Sequence, residues 1–244
     1  MKSLKPFLLL VGLVLIVGLA CGTSTPTESQ PPPAATQPPV APPPQVATQP
    51  PVSGGQEYFT EEFDGDMSNW TQSVNLSGSE GDTSQANIYT EEGRLVFDLG
   101  KWLLTYVFYD PYVYTDVRID ARAENRGVNV NNIILVCRAS DEGLYLVNIA
   151  NSGLYAMYVL DVVNNNYVRM ADGGSTKIKP GKEINDYALV CKEKTLTLYI
   201  NGTETRRYTD NQYVLRKGQI GVGAASENQL PVKVEFEYVT ISAP

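Results

Sequence analysis

Residues 57–244 predict an all-β fold, a two-sheet antiparallel β-sandwich of the jelly-roll kind. Three observations predict it. Short runs rich in β-branched and aromatic residues recur along the whole stretch, and groups of turn-forming residues separate them. Two of the runs alternate between apolar and polar residues with period two, as half-buried strands do. No segment carries a helical period with caps at both ends.

The runs follow one another in order. "YFTEEFD" opens at Tyr58, and "RLVFDL" follows the turn at Glu92-Gly93. "WLLTYVFYDPYVY" leads to "DVRIDARAE", then to "VNVNNIILVCRAS", "GLYLVNIA", "GLYAMYVLDVV" and "NYVRMA". "DYALVCKE", "TLTLYI", "TRRY", "QIGVGAA" and "VKVEFEYVTI" complete the chain. The separators are Asp141-Glu142-Gly143, Asn151-Ser152-Gly153, Asp172-Gly173-Gly174, Lys179-Pro180-Gly181 and Asn201-Gly202. Asn-Gly between alternating residues is a strong hairpin cue, because both central positions of a type I′ turn need positive φ. About a dozen short strands in this length mean two packed sheets. In "DVRIDARA", Val117, Ile119, Ala121 and Ala123 share one face, and Asp116, Arg118, Asp120 and Arg122 share the other. In "VKVEFEYVTI", Val234, Phe236, Tyr238 and Thr240 alternate with Glu235, Glu237, Val239 and Ile241.

The 56 residues before this region divide in two. "MKSLK" and the 15 apolar residues from Pro6 to Ala20 form a positive n-region and an h-region, expected to act as a secretory signal peptide over 1–20. From Gly22 to Gln56 the chain is dense in proline, as in "QPPPAATQPPVAPPPQVATQPPV", and poor in charge and apolar bulk. Such a segment has too little to bury to offset its chain entropy. It is expected to be a disordered, partly polyproline II linker spanning up to about 100 Å at ~3.1 Å per residue. The chain is therefore expected to be exported.

Composition excludes several functions. The 19 basic and 27 acidic side chains give −8, and setting aside Lys2 and Lys5 makes the remainder more acidic still. With no basic run, nucleic acid is not an expected partner, since its phosphates require clustered Lys and Arg. There is no histidine, which excludes Ser-His-Asp and Cys-His catalysis and any His-ligated metal. Of the three cysteines, Cys137 and Cys191 sit inside strands in matching settings, "LVCRAS" and "LVCKEK". An exported chain meets an oxidising compartment, where such thiols pair. A Cys137–Cys191 disulfide is expected, the other reading being two buried free thiols.

Two resemblances add to this. Ala20-Cys21 resembles the junction of bacterial lipoproteins, which implies a diacylated Cys21 at the mature N-terminus and a membrane-anchored protein facing the exterior or periplasm. Gly18 and Leu19 depart from the usual residues at their positions, and Gly18-Leu19-Ala20 also suits ordinary signal cleavage with an incidental Cys21. The domain resembles the concanavalin A-like lectin/glucanase superfamily, in particular laminin-G-like and 3-keto-disaccharide hydrolase-like domains. The likeness rests on Phe63-Asp64 with Trp70, on "LTLYING" and on "GQIGV", which build fold more than chemistry.

The resemblance implies carbohydrate or another surface polymer as partner, and glucanases of the superfamily carry a Glu-x-Asp-x-x-Glu strand. No such run occurs here. The nearest acidic strand, Asp116 to Glu124, interleaves Asp116 and Asp120 with Arg118 and Arg122, and arginines keep neighbouring carboxyls ionised rather than protonated for acid catalysis. The strand reads as a solvated face or as a polar sugar-binding groove. The aromatic series Trp102, Tyr106, Phe108, Tyr109, Tyr112 and Tyr114 reads as core or as a stacking platform for sugar rings. Asn129, Asn131, Asn132 and Arg138 are candidates to complete a groove. No cofactor is expected. The laminin-G likeness admits calcium alone, on Asp64 and Asp66 or on Asp141 and Glu142. The function expected is non-catalytic binding, with a glycosidase-like hydrolase and a structural or adhesive protein as alternatives.

Overall fold

The computed structural model describes residues 56–244 apart from Asn129 and Val163. The signal peptide, Cys21 and most of the linker lie outside the described residues. In chain order the strands are β1 (Phe59–Glu61), β2 (Trp70–Leu76), β3 (Ala86–Glu91), β4 (Arg94–Leu99), β5 (Leu103–Tyr109), β6 (Val117–Asn125), β7 (Asn132–Ser140) and β8 (Gly143–Ala150). They continue with β9 (Leu154–Asp161), β10 (Asn166–Gly174), β11 (Ile184–Lys192), β12 (Thr195–Ile200), β13 (Thr203–Thr209), β14 (Gln219–Ala225) and β15 (Val232–Ser242). One sheet has eight strands in the order β13-β12-β11-β6-β15-β4-β3, with β1 also on β15. The other has seven, in the order β10-β9-β8-β7-β14-β5-β2. All pairings are antiparallel. This is the two-sheet sandwich the sequence predicts.

The alternation in β6 sets the packing. Val117, Ile119, Ala121 and Ala123 are buried between the sheets, while Arg118, Asp120 and Arg122 remain partly exposed. Tight turns fix the register of two hairpins. Glu92 and Gly93 (φ 51° and 67°) and Asn201 and Gly202 (φ 48° and 75°) supply the paired positive φ of type I′ turns.

The structure changes the sequence reading in three respects. First, β15 does not keep one phase, because a bulge falls between Phe236 and Tyr238. Val234 and Phe236 point inward, but beyond the bulge Val239 and Ile241 take the core positions, and Tyr238 and Thr240 turn outward, so the four do not share one face. Second, Asp172-Gly173-Gly174 is not a turn but the end of β10, paired with Ala156, Tyr155 and Leu154. Gly173 is there for closeness: a Cβ would stand 2.5 Å from Tyr155 Oη. Third, β2 and β3 escaped the sequence pattern. They are edge strands in which Trp70 alone is buried, so their apolar signal is weaker than that of the central strands.

The core lies between the sheets. Phe97 and Phe236 meet there edge-on, with centroids 5.7 Å apart at 68°, and such burial stabilises by roughly 1.5–3 kcal/mol per large side chain. Cys137 of β7 and Cys191 of β11 are disulfide-bonded, joining the two sheets across this core.

Candidate functional site

A second, smaller apolar cluster covers the outer face of the seven-stranded sheet. Tyr106, Ile134, Val136, Leu144, Leu146 and Ala225 are buried there, with Leu104, Phe108, Tyr158, Leu160 and Tyr167 packed around them. A sheet face open to solvent is ordinarily polar, so this one has a reason to be otherwise. Two glycines of β14 lay the aromatic floor. A Cβ on Gly221 would approach Phe108 Cδ1 to 2.9 Å, and one on Gly223 would reach the Thr105 carbonyl at 2.1 Å. The Tyr106 and Phe108 rings lie across the space these side chains would take.

At the end of the sheet where β5 begins and β14 ends, this face opens into a cleft of about 230 Å³. Trp102, Tyr158 and Tyr167 supply aromatic walls, Asn132 and Asn148 amides, Ser77 and Ser226 hydroxyls, and Glu227 a carboxylate. Trp102 stands at the lip in an uncommon backbone conformation for a bulky residue, with φ 57°. Its neighbours enforce it: Ser77 N–H donates to the Trp102 carbonyl (2.8 Å) and Trp102 N–H donates to that of Glu227 (3.2 Å). Its ring lies over Gly78, where a Cβ would come within 2.9 Å of it. Strained backbone held by its surroundings is a mark of functional positions.

The polar groups of the cleft differ in how they are satisfied. The Tyr106 and Tyr167 hydroxyls bond each other at 3.2 Å. Burial pushes both phenols up, that of Tyr106 far up, so both are neutral donors at any physiological pH. Ser226 Oγ accepts from Leu103 N–H at 2.9 Å. Asn148 Oδ1, by contrast, is buried and has no hydrogen-bond partner. An unpaired buried carbonyl costs about 1–3 kcal/mol, and a hydroxyl donated by a ligand in the cleft would relieve it.

The residues singled out from the sequence fall in four places. Trp102 lines the cleft and Tyr106 supports Tyr167 from beneath. Arg118, Asp120 and Arg122 lie on the outer face of the eight-stranded sheet, the opposite side of the sandwich. Arg118 grips Asp120 with Nε and Nη2 (2.7 and 2.6 Å), and Arg122 grips Asp186 in the same way (2.8 and 3.3 Å). Arg138 is buried in the β7 bulge, donating to the carbonyls of Thr115 (3.0 Å), Glu193 (2.6 Å) and Leu215 (2.7 Å). It also reaches Asp116 Oδ1 at 3.3 Å, and that oxygen accepts the Glu193 N–H at 2.8 Å. Asp116 and Arg138 thus tie strand ends together. Tyr109 and Tyr114 belong to the inter-sheet core.

Among the described residues, no group of three or more His, Cys, Asp or Glu side chains could hold a metal ion. Asp66 accepts from Ser68 N–H at 3.0 Å, Asp64 is exposed, and Asp141 and Glu142 are exposed turn residues. Asn148, Tyr158, Tyr167 and Glu227 went unremarked in the sequence. The one signal was Asn148 itself, a lone amide in the apolar run "LYLVNIA".

No protein-family model matches the chain, and no curated protein does. Solved structures match it well. A native glycosidic hydrolase aligns with 79% of this chain and 100% of its own at a TM-score of 0.57 and 12% identity. A Bacteroides ovatus mixed-linkage glucan GH16 protein, in complex with a G4G4G3G product, aligns over 75% and 99% with a TM-score of 0.57 and 12% identity. The carbohydrate-binding module CBM66 from Bacillus subtilis aligns over 73% and 98%, with a TM-score of 0.53 and 13% identity. The likeness is one of fold: the chain shares the β-sandwich architecture of these solved structures. At these identities the likeness carries the fold and leaves activity to the site.

Proposed function

We propose that the sandwich binds a carbohydrate in the cleft under Trp102 and does not cleave it. The observation that carries this reading is the pairing of aromatic walls with the unpartnered Asn148 Oδ1. Sugar rings stack their C–H faces on aromatic side chains and give their hydroxyls to amides and carboxylates. The neighbours of this fold support a carbohydrate ligand and include both hydrolases and a binding module. The chemistry of the cleft favours binding. Retaining glycosidases hold two carboxyl groups ~5 Å apart, whereas Glu227 is the one acidic residue among those lining this cleft. The central strands present Ile134, Val136, Leu144 and Leu146 on the same face, where a catalytic pair would need carboxylates.

A glycan array probed with the protein and with Trp102→Ala tests the reading. Binding by the wild type, weakened at least tenfold in the variant, with no reducing ends released from the bound polysaccharide, is expected. Release of reducing ends makes the protein a hydrolase. Absence of any glycan binding, with a protein partner recovered by crosslinking, makes it an adhesive or structural module.

We also infer that the chain is exported and anchored to a membrane through lipid on Cys21. The apolar leader, the Ala20-Cys21 junction and the proline-rich stretch after it support this. Mass spectrometry of the mature N-terminus checks it: acylated Cys21 is expected, and an unmodified thiol refutes the anchor.

A further inference from the structure

We propose that the outer face of the eight-stranded sheet carries a second, independent site for one residue of a neutral saccharide. A depression of about 230 Å³ lies there, lined by Arg118, Asp120, Asp186, Ala188, Tyr199 and Tyr238. Its place follows from register. Ala188 of β11 pairs with Tyr199 of β12 on one side and with Asp120 of β6 on the other. One register step away, Asp186 pairs with Arg122, which pairs with Tyr238 of β15. A methyl group thus sits where its cross-strand neighbours carry long or aromatic side chains, and the difference in length is the depression.

Two features separate this from a merely solvated face of ion pairs. The first is Ala188, a weak strand former placed where a larger residue would gain cross-strand contacts. The second is the β15 bulge, which turns Tyr238 out of the core and toward the depression. Bulges recur where a side chain has to be re-aimed.

The walls are preorganised. The Arg118 guanidinium lies over the Tyr199 ring at 5.1 Å, and that of Arg122 lies over Tyr238 at 5.4 Å. Each guanidinium is in turn held by its aspartate fork. The Tyr238 hydroxyl also reaches Asp186 Oδ1 at 3.4 Å. The forks use Nε and Nη2, which leaves Arg118 Nη1 as a donor and the remaining carboxylate lone pairs as acceptors. Donors and acceptors side by side, framed by rings, suit the vicinal hydroxyls of a sugar.

Charge and size narrow the ligand. Arg118, Asp120 and Asp186 line the depression, and Arg122 beside it pairs with Asp186 and, at 3.9 Å, with Glu237, so a uronate would meet the aspartates and an amine would meet Arg118. A neutral ring meets neither penalty. The volume is below the roughly 300–1,000 Å³ of pockets for drug-sized ligands and admits one ring. With a site on each sheet, one domain would bridge two polymer strands, and such bivalency raises apparent affinity without new contacts.

The test is calorimetric titration of the full-length protein with neutral gluco-, manno-, galacto- and xylo-oligosaccharides. Ala188→Leu fills the depression from its floor, and Trp102→Ala disables the cleft. Tyr199→Ala with Tyr238→Ala removes the walls, and circular dichroism and melting confirm that each variant is folded. Two molecules bound per wild-type chain are expected. Trp102→Ala should retain one of them, and adding Ala188→Leu to it should weaken that binding at least tenfold. If Ala188→Leu abolishes all binding while Trp102→Ala abolishes none, this site stands and the cleft reading falls. If Trp102→Ala abolishes all binding and Ala188→Leu behaves as wild type, the cleft stands and this proposal is overturned. A wild type that binds none of the panel overturns it too.

Discussion

The bond between Cys137 and Cys191 makes the most quantitative demand on this sandwich. It closes a loop with a sequence separation of 54, so in the unfolded chain it removes the entropy of leaving those ends free. The chain-entropy relation gives about 4 kcal/mol at 25 °C for that length. Both cysteines are fully buried, so replacing them with alanine also leaves a small cavity, and the two terms act in the same direction. For a domain of this size each kcal/mol moves the midpoint by about 2–4 °C. Cys137→Ala with Cys191→Ala should therefore lower Tm by about 8–16 °C from the loop term alone, and by more with the cavity added. The assay is thermal unfolding followed by circular dichroism, with urea unfolding of the same pair as a check on the free energy. The m-value of the variant should rise, because its unfolded chain is no longer looped and exposes more surface. A Tm within 2 °C of wild type, with unchanged m, would refute the reasoning. The unfolded ensembles would then be equally constrained, and the sheets would not depend on the cross-link.

Asp210 should make the fold acid-sensitive. It is buried and accepts the Tyr145 hydroxyl (2.5 Å) and the N–H groups of Gln212, Tyr213 and Val214 at 2.8–3.1 Å. Burial pushes its carboxyl up, but the Tyr145 bond and the backbone donors outweigh this and hold it below the usual range. A lowered folded-state value means that its contribution is present above the unfolded value of about pH 4 and is lost as pH falls through the folded one. Melting from pH 7 to pH 2.5 should show wild type losing more stability than Asp210→Asn, and parallel curves would contradict this. Arg138→Met should cost about 3 kcal/mol or more, because the carbonyls of Thr115, Glu193 and Leu215 each lose a charged donor in or beside the core. Arg138→Lys should recover little, since one ammonium cannot reproduce the fork. Urea midpoints check both variants, and near-wild-type stability of Arg138→Met would show the contacts to be dispensable.

The parts of the fold written in alternation were legible. In β6 the period-two pattern named the inner face residue by residue, because both neighbours of that strand are sheet strands and no bulge interrupts it. In β15 the same logic failed after Phe236, since a bulge inserts one residue without a distinctive composition. The edge strands β2 and β3 were missed for a different reason: Trp70 is the one buried residue in them, so neither carries a run as apolar as the central strands do. The site was legible in its residue types and not in its grouping. Arg118, Asp120 and Trp102 were all singled out, but only sheet order places the first two on one face and the third on the other. Asn148 and Tyr158 sit in runs that are otherwise apolar, and Tyr167 follows three asparagines with no pattern to mark it. An outer face as apolar as a core erases the contrast on which such recognition depends.

The way the chain enters the sandwich has a mechanical consequence. The carbonyls of Gln56 and Glu57 accept the hydroxyls of Tyr109 (3.0 Å) and Tyr114 (2.7 Å), and β1 then adds a three-residue ladder to β15. Tension applied at the N-terminal end falls first on these few bonds, in series with Phe59, whose ring lies 4.5 Å from that of Tyr109. They form a clasp that yields before either sheet is sheared. Whatever force then passes inward meets the covalent bridge, which withholds the 54-residue span, about 180 Å of contour at full extension, from stretching. A pulled molecule would lengthen by a short first step and then stiffen, with the two sheets still clamped together behind it.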